Sequence, residues 1–381
     1  MRVRSCLAAG AVLAASVSLL GAAAPAGASP ASPVVGYTYI NDNTATVNTV
    51  AGFARHADGS LTALPGSPFN IGGAGLGAGL PSQGAIQATP DGRYLLAVDA
   101  GSSQISVLKV TWNGVPQLVG QPVSSGGAEP VTIAISGGLV YVGNAGPGGS
   151  NFTGFRLHFD GSLTPIPGST YTVPSGAGVA DVLFNSTGNR LVGTLVNTSQ
   201  IDSFVVRPDG LLRAAAGSPF TAQGLGQIGA EFSPTRPHQL FVSNAHNGAG
   251  LGTVSAFRDG FGGELSSVGS SPYPDGQTAP CWVEISHDGR YLFAVNTASS
   301  NISSYAINRD GSLTLIGSTP IRDGGGDIDA RLSPDGRTLS VDGAGSHIVS
   351  VFAVNGGSLT ELPSSPTPLP AGSAPAGIVV L

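Results

Sequence analysis

Apolar residues in this chain fall in short runs cut off by polar turns. Tyr94–Val98, Val140–Val142, Leu191–Val196, Leu240–Val242, Tyr291–Val295 and Leu339–Val341 form one set, and each stops at an Asn or Asp. Ile105–Val110, Thr153–His158, Ile201–Val206, Thr253–Phe257, Ile302–Ile307 and Ile348–Val354 form the next. Runs of this length, rich in β-branched and aromatic residues and bounded by turn residues, predict strands. Strings of the Ser-Pro-Asp-Gly-Arg type lead into the first set, at Thr89–Arg93, Ser286–Arg290 and Ser333–Arg337. Strings of the Asp-Gly-Ser-Leu-Thr type follow the second, at Asp58–Thr62, Asp160–Thr164 and Asp310–Thr314, with looser copies at Asn113–Leu118, Asp209–Arg213, Gly262–Leu265 and Gly356–Thr360. Pro presets a turn's φ and Gly accepts a positive φ, so both strings predict hairpins.

The second string returns seven times, about every 50 residues. A fixed period of that size carried by short strands indicates radially repeated β structure. Each unit reads as four strands. The fourth ends in Gly-Ser-Pro variants, at Gly66–Pro68, Gly217–Pro219, Ser270–Pro272 and Ser318–Pro320. Proline is tolerated on an edge strand, so the fourth is outermost and the first lines a central channel. The first unit opens with a second strand, Val34–Ile40, and Ala376–Leu381 supplies the strand it lacks. The expectation is all-β: one seven-bladed propeller of four-stranded blades over residues 29–381, closed by the C-terminal strand joining the N-terminal blade.

Composition adds context. Arg2 and Arg4, the apolar run Leu7–Ala24 and the small residues Ala26-Gly27-Ala28 read as a secretory signal peptide over residues 1–28, with the mature chain starting at Ser29 and secreted. No later run is long and apolar enough to span a membrane. With 16 Lys+Arg against 22 Asp+Glu and no basic stripe, nucleic acid is not an expected partner. Cys281 is the one cysteine after the leader, which excludes an intramolecular disulfide; a monomer is expected.

Strings such as those at residues 89–99 and 286–296, of the pattern Ser-Pro-Asp-Gly-Arg-Tyr-Leu-x-x-Val-Asn, resemble the lactonase-type seven-bladed propellers. These include propeller 6-phosphogluconolactonases and a muconate-lactonizing cyclase, beside the YVTN-type surface propellers. The resemblance implies a lactonase-like hydrolase acting on a small cyclic ester at the channel mouth. The alternative it carries is a non-catalytic secreted or surface propeller that binds a ligand or partner. The family's His, Arg and Glu are sought near the start of the inner strands, four and five residues before each turn. Those positions hold Gly84 and Ala85, Val131 and Thr132, Ala180 and Asp181, Ile228 and Gly229, Cys281 and Trp282, Ile328 and Asp329. The constellation is missing there.

Lactone hydrolysis needs a base for water and a positive group for the carbonyl oxygen. On the face where the second-to-third strand loops lie, Asp181 or Asp329 is the candidate base and His246 a second option. Arg331 shares strand parity with Asp329 and is the candidate oxyanion partner. Trp282 is a candidate stacking platform for a ring ligand, against blade packing as the plainer role. Glu129, Thr132, Asp327 and His347 complete the candidate ligand-binding set. The spacing of Asp323, Asp327 and Asp329 fits no calcium loop, so no metal and no cofactor is expected. The Gly72–Gly79 stretch reads as a flap over the mouth or a loose connector.

Overall fold

A computed structural model describes residues 32–381, the side chain of Asp327 excepted. The expected leader and the start at Ser29 lie outside the described residues. The apolar runs form seven antiparallel sheets, one per repeat. Their inner strands are Ile378–Val380 (blade 1), Ile86–Ala88 (blade 2), Pro130–Ser136 (blade 3), Val179–Phe184 (blade 4), Gln227–Phe232 (blade 5), Pro280–Ile285 (blade 6) and Asp327–Leu332 (blade 7). Each touches the inner strands of its two neighbours, so they line one central channel.

The fold differs from expectation in its outer strand. Gly-Ser-Pro interrupts that strand rather than ending it. In blade 1, Leu61–Ala63 and Phe69–Asn70 both pair with Thr49–His56, on either side of the interruption. Blade 6 alone carries one continuous outer strand, Leu313–Pro320. A prolyl nitrogen cannot donate to the ladder, so the chain detours around it and then resumes pairing.

The turns owe their shape to local side chains. Asp58 Oδ1 accepts the amide and hydroxyl of Ser60, and Asp160 and Asp310 do the same for Ser162 and Ser312. In the other turn type, Thr89 Oγ1 donates to Asp91 and accepts the amide of Tyr94, with Gly92 at φ 67°. An L-residue at that φ is strained.

Closure follows the expected plan. Ile378–Val380 pairs antiparallel with Thr38–Ile40, and Tyr37 and Leu381 exchange both backbone hydrogen bonds. Blades pack face to face. Trp282, fully buried, sits with Phe293, Val295, Ala330, Leu332, Leu339 and Val341 between blades 6 and 7. Among the described residues no helix is long and apolar enough to cross a membrane.

Candidate functional site

The free edge of each inner strand faces the channel, where its N–H groups need partners. In blades 4, 5 and 7 the preceding blade supplies a side chain. Thr132 Oγ1 accepts from Val182 N at 3.2 Å, Asp181 Oδ2 from Ala230 N at 2.9 Å, and Glu284 Oε1 from Leu332 N at 3.0 Å. Blade 5 has Gly229 where such a side chain would start, and Gln83 takes the place instead. Its Oε1 accepts from Val283 N of blade 6, and its Nε2 faces the carbonyls of Ala230 and Val283, at 3.3–3.4 Å. A Cβ at position 229 would collide with that Oε1.

Gln83 closes one end of the channel. It ends a strap over residues 71–85, where the corresponding connectors are as short as residues 125–129 and 222–226. The strap is pinned: Gly75 and Gly77 donate to the carbonyls of Thr44 and Asn43, Gln83 N donates to Ala180 O, and Leu80 is buried. The Gly72–Gly79 stretch is therefore a fixed part of a plug on the loop face.

The polar cavity lies on the other side of Gln83. It measures about 190 Å³ and is lined by Gln83, Gln87, Asp181, Glu231 and Arg331, with an apolar wall from Ile133–Ile135 and Val182–Phe184. Along its walls, Asp181, Ala230 and Gln83 are buried, whereas Ile135, Phe184, Gln87, Glu231 and Arg331 are partly exposed. Access is thus from the ends of the inner strands, the face of the turns. This is the face opposite the loop face on which the mouth is expected.

The cavity gathers some of the candidate residues and leaves others apart. Asp181, Thr132 and Arg331 are brought together at the cavity and its wall. His246 and His347 are exposed in loops on the plugged face, and Glu129 is half-buried in the connector before blade 3. Asp327 starts the blade 7 inner strand on that face. Trp282 is too buried to stack on a ligand; it carries the Arg331 guanidinium on its ring, 5.1 Å from the centroid. Arg331 makes its ion pair with Glu284 of blade 6, at 3.1 Å, rather than with Asp329. Asp329 is fully buried and accepts no part in the cavity lining; its backbone amide donates to Asp342. Burial first, and Asp342 next, raise its carboxyl well above the usual carboxylate range.

Four polar groups of the site were missed by counting four and five residues back: Gln83, Gln87, Glu231 and Glu284. Three of them, and Arg331, stand two residues before their turns, at Thr89, Ser233, Ser286 and Ser333. Blades 3 and 4 have Ala134 and Leu183 there. A charged residue where other repeats are apolar was the available signal.

Two carboxyls at the cavity are strongly shifted, and hydrogen bonding separates them. Asp181 is pushed up to about 8 by burial, opposed by its hydrogen bonds from Ala230 and Thr132 and by the charge of Arg331. Glu231 is also pushed up to about 8, by burial and then by Glu284, with Arg331 pulling the other way. Asp181 and Glu284 are each tied to a backbone amide. The Glu231 carboxylate has no such duty and faces the cavity beside Arg331, the lone cation among its described lining residues.

The architecture defines a class, the seven-bladed β-propellers. Within it, residues 234–376, from blade 5 to blade 7, match the family described as Lactonase, 7-bladed beta-propeller. The resemblance expected from the repeat strings therefore holds. No curated protein sequence matches the chain. Among solved structures, the chain is similar to the periplasmic gluconolactonase PpgL of Pseudomonas aeruginosa, with 18% identity, 91% of this chain and 99% of that chain covered, and a TM-score of 0.73. A candidate 6-phosphogluconolactonase from Bacteroides uniformis ATCC 8492 gives 20% identity, the same coverages and a TM-score of 0.72. A hypothetical selenium-binding protein from Sulfolobus tokodaii, at 13% identity over 91% of this chain and 95% of that chain, still reaches 0.61. Likeness at these identities concerns the fold, which carries more than one chemistry.

Proposed function

We propose that this protein is an exported lactonase-like hydrolase that opens a small cyclic ester in the turn-face cavity. The observation that carries the reading is the pairing of an uncommitted carboxyl, Glu231, with the guanidinium of Arg331 in one closed-ended pocket. The match to the lactonase family and the names of its structural neighbours support it. A cavity of about 190 Å³ is below the ~300 Å³ at which drug-sized sites begin, so the ligand is one small ring.

In this reading the ionised Glu231 takes a proton from water as the water oxygen bonds to the lactone carbonyl carbon. Arg331 stabilises the oxyanion, held in place by Glu284 and the Trp282 ring. The ring C–O bond then breaks, and the leaving oxygen takes the proton from Glu231, giving a hydroxy acid. The apolar wall of blades 3 and 4 covers one face of the ring, and Gln87 offers it hydrogen bonds.

The test is proton release from a panel of sugar-derived and aliphatic lactones, above the spontaneous rate. Glu231→Gln is expected to lower kcat/KM by roughly 100-fold or more, the usual worth of a positioned base, with the melting temperature unchanged or raised. Because Glu231 must be ionised, wild-type kcat/KM rises with pH through about 8 and the variant loses that rise. A flat profile with full Glu231→Gln activity would sink the assignment. Catalytic silence on every lactone, with small-ring binding retained, would favour the ligand-binding propeller.

A further inference from the structure

The charges around the cavity do not balance in favour of an anion. Two carboxyls, Asp181 and Glu231, stand on its wall beside Arg331. The charge of Arg331 is already met from behind by Glu284, at 3.1 Å, and its flat face is covered by the Trp282 ring. No lysine or histidine and no second arginine is among the described lining residues. Of the turn arginines at the rim, Arg93 faces Asp91 at 3.9 Å, Arg290 holds Asp288 at 2.6 Å, Arg236 is held by the carbonyls of Asn308 and Arg309, and Arg337 is exposed beside Asp335. The remaining polar groups, the carboxamides of Gln83 and Gln87, are neutral. Carboxyl and carboxamide oxygens are acceptors, suited to hydroxyl donors.

Building on the hydrolase reading above, we infer that the substrate is an uncharged, polyhydroxylated lactone and that the cavity rejects phosphorylated and other anionic rings. A phosphate entering this pocket would lose its hydration and find carboxyls in place of a free cation. Above about pH 8, where both Asp181 and Glu231 are ionised, the phosphate meets like charge, so discrimination on the order of 100-fold or more is expected there. The same wall acts on the product. Ring opening turns a neutral ligand into a carboxylate, which the pocket then binds more weakly than the lactone. The charge arrangement thus selects the substrate on the way in and expels the acid on the way out.

The probe pair is δ-gluconolactone and its 6-phosphate, which differ only in the phosphate, followed by proton release. The corresponding lactams, which resist hydrolysis, are titrated calorimetrically into wild type and Glu231→Gln at about pH 9, above the ionisation of both carboxyls. The expected result is hydrolysis of the neutral lactone, at least ~100-fold less kcat/KM with the phosphate, and the same order among the lactams. Glu231→Gln, with one carboxylate fewer, should narrow the lactam preference by about tenfold. A phosphorylated lactone processed or bound as well as the neutral one overturns the inference and leaves the hydrolase reading standing. Discriminating lactam binding without turnover of either lactone overturns the hydrolase reading and leaves the charge selection standing. If neither lactam binds, both fall.

Discussion

At the scale of single residues, the channel holds charged groups whose first task is to finish the backbone. Glu284 is nearly inaccessible and serves both Leu332 N and Arg331. Removing one partner of such a buried pair leaves the other uncompensated. Arg331→Ala is therefore expected to cost about 3–5 kcal/mol in urea denaturation, and adding Glu284→Gln to that variant should recover part of it. Recovery of nothing would mean that the loss comes from the packing on Trp282 instead. This double duty explains why the site was only partly legible in the sequence. Asp181 stood out as a charge at one of the inspected positions, and Arg331 through its strand parity with Asp329. Glu231 and Glu284 are charged as well, but they lie nearer the turn than the positions inspected. Trp282 also stood out and proved to be packing, because the face it presents is covered by blade 7. A repeat tells which positions are equivalent; it does not tell at which depth of the channel they become a ligand surface.

At the scale of elements, the strap over residues 71–85 shows how a local omission is repaired at long range. Gly229 leaves an unfilled place at the blade 5 edge, and Gln83 fills it from the far side of the channel. Gly229→Ala should push Gln83 out. Gln83→Ala should remove the same contacts directly, at about 1–3 kcal/mol for the groups left unpaired. In both variants amide hydrogen exchange at Val283 is expected to speed up, while Ala230 N, held by Asp181, keeps its protection. Equal acceleration at both amides would indicate general loosening of the sheet. The strands and hairpins were readable because their turn chemistry is local: an Asp, a Ser and a Gly within a few residues suffice. The plug was not, because its partners are 147 and 200 residues away.

At the scale of the whole molecule, two populations of carboxyls respond to acid in opposite senses. Asp42, Asp99 and Asp202 are each pushed up to about 6 by burial, which outweighs hydrogen bonds from Ser373 and Thr49, from Ser106 and Asn48, and from Ser218. Their folded forms hold protons that the unfolded chain releases near pH 4, so stability falls as pH rises through 6. The turn aspartates Asp58, Asp91, Asp160 and Asp310 are lowered by hydrogen bonds from Ser60, Thr89, Ser162 and Ser312. Their contribution is present above the ordinary carboxylate range and is lost below it. Thermal melts should therefore show the highest melting temperature in mild acid, near pH 4 to 5, and a drop of several degrees by pH 8. A melting temperature that climbs steadily from pH 4.5 to 8 would contradict the burial of these groups.

The closing blade has one more consequence. The strands nearest the two described ends, Val34–Asn41 and Ile378–Val380, lie side by side in one sheet. The seam between them is joined by hydrogen bonds and packing, whereas every other blade is covalently continuous with the next. Nothing in the ring marks this seam as special except the missing peptide link. Joining residues 33 and 381 by a short linker and cutting the chain in an exposed turn, such as the one around Gly372, would move the seam. The permuted protein would keep the same channel and the same plug under a different chain order.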